Sequence, residues 1–524
     1  MCNTLDRQME LFKVCAPPPD IVVEDLYIRT RSGTAELQED KCMLSPNSEI
    51  TTDTYFNIFS SSKYAEYTKI KKVTIATEVS GKLCVELRSF SDTGEQTIET
   101  TEIDSEKPKE VKFSFCIQDL ERGEPFFHYL VYHSYEESVI HSFGSYISDL
   151  VPDEVELGIV ICTFNREERV IRTLDLIDQM VSDERYGLKD KITVFVVDSG
   201  RTLDGGSINY DYVRLIPNRN KGGSGGFTKG IIESRKNKKT HILLMDDDIE
   251  LDPNVIYKTF NLISVLNEEH KEAFVLGGML LPETPNIQYE AGAEYLKGFR
   301  RGKHMLDLSD IRALLQNDEW VRADYGGWWY MCMPESAAEE LPLPLFIKLD
   351  DVEFGLRRMK DHIIMNGIGI WHDSFESKTN PVTDHYFLRR NTLILYSMYG
   401  KKNGIYAGIS HLLRMLHCIK EEKSDEYLYT RRAVNDFLRG PEFIADAEQT
   451  EIFEMTSDPN ETILSAKSTK TGKIWEIFKK ASPAELLSLL SESIILATKW
   501  NGLAKQYRRS AQYLSSQDYW DKEL

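Results

Sequence analysis

From Val73 to Ile117 the chain alternates apolar and polar residues. Val73, Ile75, Thr77 and Val79 form one run, Leu83, Val85 and Leu87 a second, and Val111, Phe113, Phe115 and Ile117 a third. A period of two predicts strands with one buried face. Gly81-Lys82 and the polar stretch from Asp104 to Pro108 read as turns between these strands. Short alternating strands punctuated by turns predict a β-sandwich over residues 1–150.

The pattern changes at Leu157. Leu157 to Cys162, Ile192 to Val197 and His241 to Met245 are nearly continuous apolar runs, as expected of strands buried on both faces of a parallel sheet. Between the first two, Val170, Leu174 and Ile177 recur at helical spacing. Strand, helix and strand in succession predict an open α/β sheet over residues 151–400, with ligands gathered at the carboxyl ends of the strands. The polar clusters Asn165-Arg166, Asp198-Ser199-Gly200 and Asp246-Asp247-Asp248 all fall at such ends. Residues 401–524 read as helical, with Ile405, Ile409, Leu412, Leu413 and Leu416 on one face and a second amphipathic run from Pro483 to Trp500. Thr456 to Lys473 reads as a polar connector. The expected molecule is multidomain, as 524 residues exceed what one core organises.

Charge narrows the partners. With 63 basic and 84 acidic residues the net charge is −21, which disfavours a reader of nucleic-acid phosphates. Eight cysteines without a Cys-x-x-Cys pair predict buried free thiols, not disulfides or a zinc site. The first residues show no basic stretch followed by an apolar run, and no segment approaches the roughly 20 apolar residues that span a bilayer. A cytoplasmic protein is expected, with peripheral contact at the inner face of the cell membrane as an extension. The basic and aromatic group Lys499, Trp500, Lys505, Tyr507, Arg508, Arg509 and Tyr513 is the segment expected to make that contact, a solvated helix or an oligomer contact being the alternatives.

The chemistry lies at the strand ends. Three adjacent carboxylates repel one another, and a divalent cation on a diphosphate relieves that repulsion. Asp246 and Asp248, two residues apart on an extended segment, point to one side and can share a metal. Asn220 to Phe227, with four glycines, opens a predicted helix at Thr228 and suits the approach of an anion to backbone N–H groups. It lacks the Gly-Lys-Ser/Thr ending of a Walker loop. Leu349-Asp350-Asp351-Val352-Glu353 sits at another helix start. Its acids serve there either as caps or as a general base, with Asp351 the first choice and Asp350 and Glu353 its competitors. His372, after a short apolar run, fits as a third metal ligand, and nitrogen ligation suits manganese better than magnesium. Trp328 and Trp329 could pack against sugar C–H faces or simply fill a core.

Taken in order, Thr163-Phe-Asn-Arg166, Val197-Asp-Ser-Gly200, Asn220-Lys-Gly-Gly-Ser-Gly-Gly-Phe227, Met245-Asp-Asp-Asp-Ile249, Gly327-Trp-Trp329, Phe346-Ile-Lys-Leu-Asp-Asp351 and Trp371-His372 resemble the galactofuranosyltransferases of glycosyltransferase family 2 that polymerise cell-wall galactan. The resemblance covers roughly residues 155–400. It implies a central, Rossmann-like GT-A domain flanked by the N-terminal β-sandwich and the C-terminal α-helical region. It also implies UDP-galactofuranose as donor, a saccharide or lipid-linked glycan as acceptor, Mn²⁺ or Mg²⁺ on Asp246, Asp248 and His372, and inversion with Asp351 as base. Donor contacts are then expected at Arg166, Asp198, Gly223, Ser224 and Asp247, and sugar or acceptor contacts at Trp328, Trp329 and Asp350. Ser199 stands where a larger amide is expected, and the C-terminal region is shorter than in the polymerases, so a homo-oligomer is left open. Two other readings are a transferase using a rhamnosyl or glucosyl donor and a carbohydrate-binding protein without turnover.

Overall fold

The computed structural model describes residues 9–18, 23–38, 41–120, 123–374, 380–400, 403–454 and 481–524. The polar connector expected at Thr456 to Lys473 lies outside them.

Residues 9–148 carry ten strands in one antiparallel hydrogen-bonded system. Its backbone is a long ribbon made of β1 (Lys72–Ser91) and β2 (Gly94–Cys116). The alternating residues read from the sequence bury their apolar set, with Val73, Ile75, Val79, Leu83, Val85 and Leu87 sealed from solvent. The two expected turns are not turns. Gly81 pairs with Ser105 and Lys82 with Asp104, so both polar stretches meet at one bulge in mid-ribbon. A bulge needs the same permissive residues as a turn, and Gly81 takes φ +105° there.

The central sheet has seven strands. In chain order they are β3 (Leu157–Thr163), β4 (Ile192–Asp198), β5 (Val213–Pro217), β6 (His241–Asp246), β7 (Phe274–Leu276), β8 (Tyr330–Pro334) and β9 (His362–Ile363). Their spatial order is β5-β4-β3-β6-β8-β7-β9, with β3 to β6 parallel and β8 antiparallel to its neighbours. The chain winds outward from β3 to β5 and then crosses to lay β6 on the other side of β3. That reversal opens a crevice at the carboxyl ends of β3 and β6, where open α/β sheets bind ligands. Register brings the polar ends level: Thr163 pairs with Asp198 and Cys162 with Asp246.

Helix α1 (Glu167–Val181) follows β3 and buries Val170, Leu174 and Ile177, as its periodicity predicts. Helix α2 (Gly222–Lys236) starts six residues before the expected position at Thr228, so the glycines form its first turns. Their purpose is close packing. A Cβ on Gly226 would lie 2.0 Å from Cys162 Sγ and one on Gly230 2.1 Å from Val160 Cγ1. Helix α3 (Pro253–Ile263) follows the acidic loop, capped by Asp252, whose carboxylate accepts from the Asn254 N–H.

After α4 (Asp350–Arg358) the chain is mainly helical, through α5 (Leu388–Met398), α6 (Gly404–Lys420), α7 (Ser424–Leu438) and α8 (Pro483–Leu514). Two aromatics of the α8 segment expected at a membrane, Trp500 and Tyr507, are buried. Trp500, Tyr507, Ala511 and Leu514 form its buried stripe, and Arg508 donates to the Ser397 and Met398 carbonyls. Helical periodicity turns Trp500 and Tyr507 inward, whereas Tyr513 stays exposed with Lys499, Lys505 and Arg509. Among the described residues no helix is long and apolar enough to cross a membrane. Among the described cysteines, Cys42, Cys84, Cys332 and Cys418 are buried free thiols, whereas Cys116, at the end of β2, is exposed.

Candidate active site

The end of β6 carries the acidic triplet, and its members divide by partner. Asp247 points inward, accepting from Thr163 Oγ1 at 2.7 Å and from Arg166 at 2.8 Å. Asp246 and Asp248 face His372, whose Nε2 lies 3.8 Å and 3.2 Å from their oxygens. One ligand atom from each of the three lies within 4.8 Å of the others. His372 is fixed by a 2.7 Å contact between Nδ1 and the Asp373 carbonyl. That contact places the ring proton on Nδ1 and leaves the Nε2 lone pair for a ligand. Burial pushes the Asp246 carboxyl up to about 7, against the pull of a charged His372. Two carboxylates and an imidazole, crowded and desolvated, form a donor set that a divalent cation satisfies. Arg166 meanwhile bridges Asp247 and Asp248, at 2.8 Å and 2.9 Å.

The start of α4 carries the second acidic group, and here too the partners differ. Glu353 is fully buried, held by Arg357 at 2.9 Å and by the Tyr399 hydroxyl at 2.6 Å. Asp350 is buried and accepts from Ser224 Oγ at 3.2 Å, and burial pushes its carboxyl up to about 6. Among the described residues Asp351 keeps only a local contact, from the Val352 N–H. Burial and the neighbouring Asp350 raise its pKa well above the usual carboxylate range, with smaller contributions from Glu290 and Asp246. Glu353 is therefore structural, and Asp351 is the acid left with a usable carboxylate.

The turn before α4 is strained. Phe346, Lys348 and Leu349 all have positive φ, a conformation that costs non-glycine residues energy and persists only where the surroundings impose it. Asn391 Nδ2 donates to the carbonyls of Leu345, Ile347 and Lys348, and Arg390 donates to Leu345. This clamp went unseen in the sequence because it joins segments some forty residues apart. Glu290, pushed up to about 7 by burial and paired with Arg301 at 3.0 Å, was likewise missed: it ends a short strand with no motif around it.

Several expected donor contacts are otherwise engaged. Asp198 accepts from the N–H groups of Gly200, Arg201 and Leu203, so its carboxylate shapes the loop after β4. Ser224 spends its N–H on the Phe346 carbonyl and its hydroxyl on Asp350. A Cβ on Gly223 would lie 3.2 Å from Asp350 Oδ2. In this structure the anion beside the start of α2 is Asp350. Trp328 and Trp329 are each 5% exposed. Trp329 donates to the Gly277 carbonyl, and Trp328 meets Phe227 edge-on at 5.1 Å, its indole nitrogen buried without a partner among the described residues.

Comparison with known proteins gives this geometry its class. The family model for glycosyl transferase family 2 matches residues 158–300, and that for the galactofuranosyltransferase 2 N-terminal region matches residues 18–146. Galactofuranosyltransferase GlfT2 of Mycolicibacterium smegmatis is 28% identical over 472 residues, covering 82% of this chain and 71% of that one. GlfT2 of Mycobacterium tuberculosis is 27% identical over 478 residues, covering 83% and 73%. Mannosyl-3-phosphoglycerate synthase from Rubrobacter xylanophilus overlaps 43% of this chain and 69% of its own at 13% identity, with a TM-score of 0.27. A parallel sheet with an acidic triplet at its crevice, matched along this length, defines a glycosyltransferase with a GT-A-like domain. The chain carries a glycosyl transferase family 2 region and is similar along most of its length to the galactofuranosyltransferases GlfT2.

Proposed function

We propose that this enzyme transfers galactofuranose from UDP-galactofuranose to a saccharide acceptor, inverting the anomeric centre, in the synthesis of a cell-surface polysaccharide. The observation that carries the reading is the division of labour among six carboxylates. Asp247, Asp350 and Glu353 are tied to protein partners; Asp246 and Asp248, the latter also held by Arg166, converge with His372; and among the described residues Asp351 stands unpaired by any other side chain. A divalent cation on Asp246, Asp248 and His372, manganese by preference, would neutralise the diphosphate as it leaves. Asp351 accepts the proton of the acceptor hydroxyl while that oxygen bonds to the anomeric carbon and the bond to UDP breaks. Its raised pKa makes it a stronger base than a surface carboxylate. Arg166, half-exposed beside Asp247 and Asp248, is placed to turn toward the nucleotide once those acids have other partners.

In this reading residues 1–150 are a β-sandwich scaffold, residues 151–400 the transferase and residues 401–524 a helical domain. A lipid-linked acceptor calls for peripheral contact with a membrane. We assign that contact to Ile405, Ile409 and Leu413 of α6 and Leu487, Leu490 and Ile494 of α8, apolar side chains all at least two-fifths exposed. Mass spectrometry of products after offering a panel of nucleotide sugars with Mn²⁺ tests the donor. UDP-galactofuranose should be consumed and a hexose added to the acceptor; turnover only with a rhamnosyl or glucosyl donor would replace this reading.

A further inference from the structure

Arg389 is a half-buried guanidinium with nothing to hold. It lies in the first turn of α5, immediately after the π-helical turn Val382–Phe387. Its neighbour Arg390 is spent on Asn391 and the Leu345 carbonyl. Arg389 has no ion-pair or hydrogen-bond partner among the described residues, and its Nε is sealed from solvent. An unpaired, desolvated charge is expensive to keep. Burial and repulsion from Arg414 push this guanidinium down to about 10.

Two further donors nearby are also unsatisfied. Arg414 on α6 gives one nitrogen to Glu426 at 2.9 Å, but its Nε is buried without a partner. His385, one turn before Arg389, has a buried Nδ1 with no partner. The carboxylates of this region are already engaged: Glu426 by Arg414 and Lys423, and Glu492 by Arg431 and His411. Tyr295 links the cluster to the reaction centre. Its ring stacks on Tyr396 at 5.6 Å, its hydroxyl lies 3.5 Å from Thr392 Oγ1, and it feels the charges of both Arg389 and Asp351.

We infer that Arg389, supported by Arg414 and His385, is a binding site for a phosphate group carried by one of the sugar substrates. The guanidinium edge offers two parallel donors, the geometry that suits a phosphate oxyanion. Two sources share this chemistry: the diphosphate of the donor and a phosphate on the glycan acceptor. The acceptor is favoured, because Arg166 and the Asp246–Asp248 edge are assigned above to the donor and Tyr295 feels the charges of both Arg389 and Asp351. Which substrate brings the phosphate rests on the transfer reaction proposed above. The existence of the site does not.

Calorimetric titration of the full chain with inorganic phosphate tests the site directly. Wild type should bind it, Arg389→Gln should bind at least tenfold more weakly, and Arg389→Lys should fall between. Arg389→Gln relieves an unpaired charge, so it should melt no lower than wild type; Arg414→Gln provides a second weakened variant. Equal phosphate binding by wild type and Arg389→Gln, or none by wild type, overturns the inference whether or not transfer is observed. The substrate arms then separate the sources. If the acceptor supplies the phosphate, Arg389→Gln raises KM at least tenfold for a phosphorylated acceptor, with kcat and the KM of its neutral counterpart unchanged. If the donor supplies it, UDP affinity falls instead.

Discussion

Helix α2 is held against β3 by a glycine with no room for a single carbon, and substituting it gives a measurable cost. In Gly226→Ala the new Cβ falls 2.0 Å from Cys162 Sγ, 3.3 Å from Cys162 Cβ and 3.6 Å from Ser199 Oγ. Ordinary contact between such atoms lies at about 3.5–4.0 Å, so only the sulfur is seriously overlapped, by roughly 1.5 Å. Overpacking of this kind costs about 1–3 kcal/mol, as helix and strand must part or the thiol must find another rotamer. Cys162→Ala removes the sulfur and should alone cost about 1 kcal/mol or less for the small void. In the double variant the nearest atom is the residue 162 Cβ at 3.3 Å, and most of the clash is gone. A double-mutant cycle on urea-unfolding midpoints should therefore give a favourable coupling of about 1–3 kcal/mol. Strict additivity, or a wild-type midpoint for Gly226→Ala, would refute the packing role given to these glycines.

Other consequences can be checked separately. Lys258 Nζ is fully buried without a hydrogen-bond partner, 3.9 Å from the centre of the Phe12 ring, and burial pushes its pKa down to about 7. Since the unfolded lysine titrates near 10.4, the unfolded state binds the extra proton between those values, and stability from this group rises by about 1.4 kcal/mol per pH unit from pH 7 to 10. Lys258→Met should remove that slope from urea midpoints read at pH 7, 8 and 9; an unchanged slope would clear Lys258 of the effect. Asp246→Ala and Asp248→Ala should each abolish Mn²⁺-dependent UDP binding while keeping the wild-type melting temperature, and full activity in excess chelator would rule out the metal. Ile409→Glu with Ile494→Glu should lower flotation with anionic vesicles containing acceptor lipid, whereas equal recovery of both proteins with the vesicles would discard that face as the contact.

Much of this arrangement was legible in the sequence because its signals are local. The apolar runs at Leu157, Ile192 and His241 carry the parallel sheet, and Asp246 and Asp248 sit two apart on an extended segment, so their convergence follows from strand geometry. What escaped depends on distant pairings. The packing of the α2 glycines against Cys162 and Asp350 is not visible locally, because those partners lie far away in the chain. Gly81 and the stretch at Asp104 read as two turns because only cross-strand register shows them to be one bulge. The contacts of Trp328 and Trp329 with Phe227, Phe354 and the Gly277 carbonyl join segments far apart in the chain and leave no local mark. Asp351 could be preferred over Glu353 from the motif, but the structure supplies the physical reason: Arg357 and Tyr399 occupy Glu353.

The most direct test of the account is the rate of galactofuranose transfer from UDP-galactofuranose by Asp351→Asn beside wild type, at saturating Mn²⁺, with UDP affinity measured on the same preparations. Loss of a general base costs about 10²–10⁴-fold. The account predicts a fall in kcat of that size for Asp351→Asn with UDP affinity unchanged. Retention of wild-type kcat by Asp351→Asn would contradict it and remove Asp351 as the base.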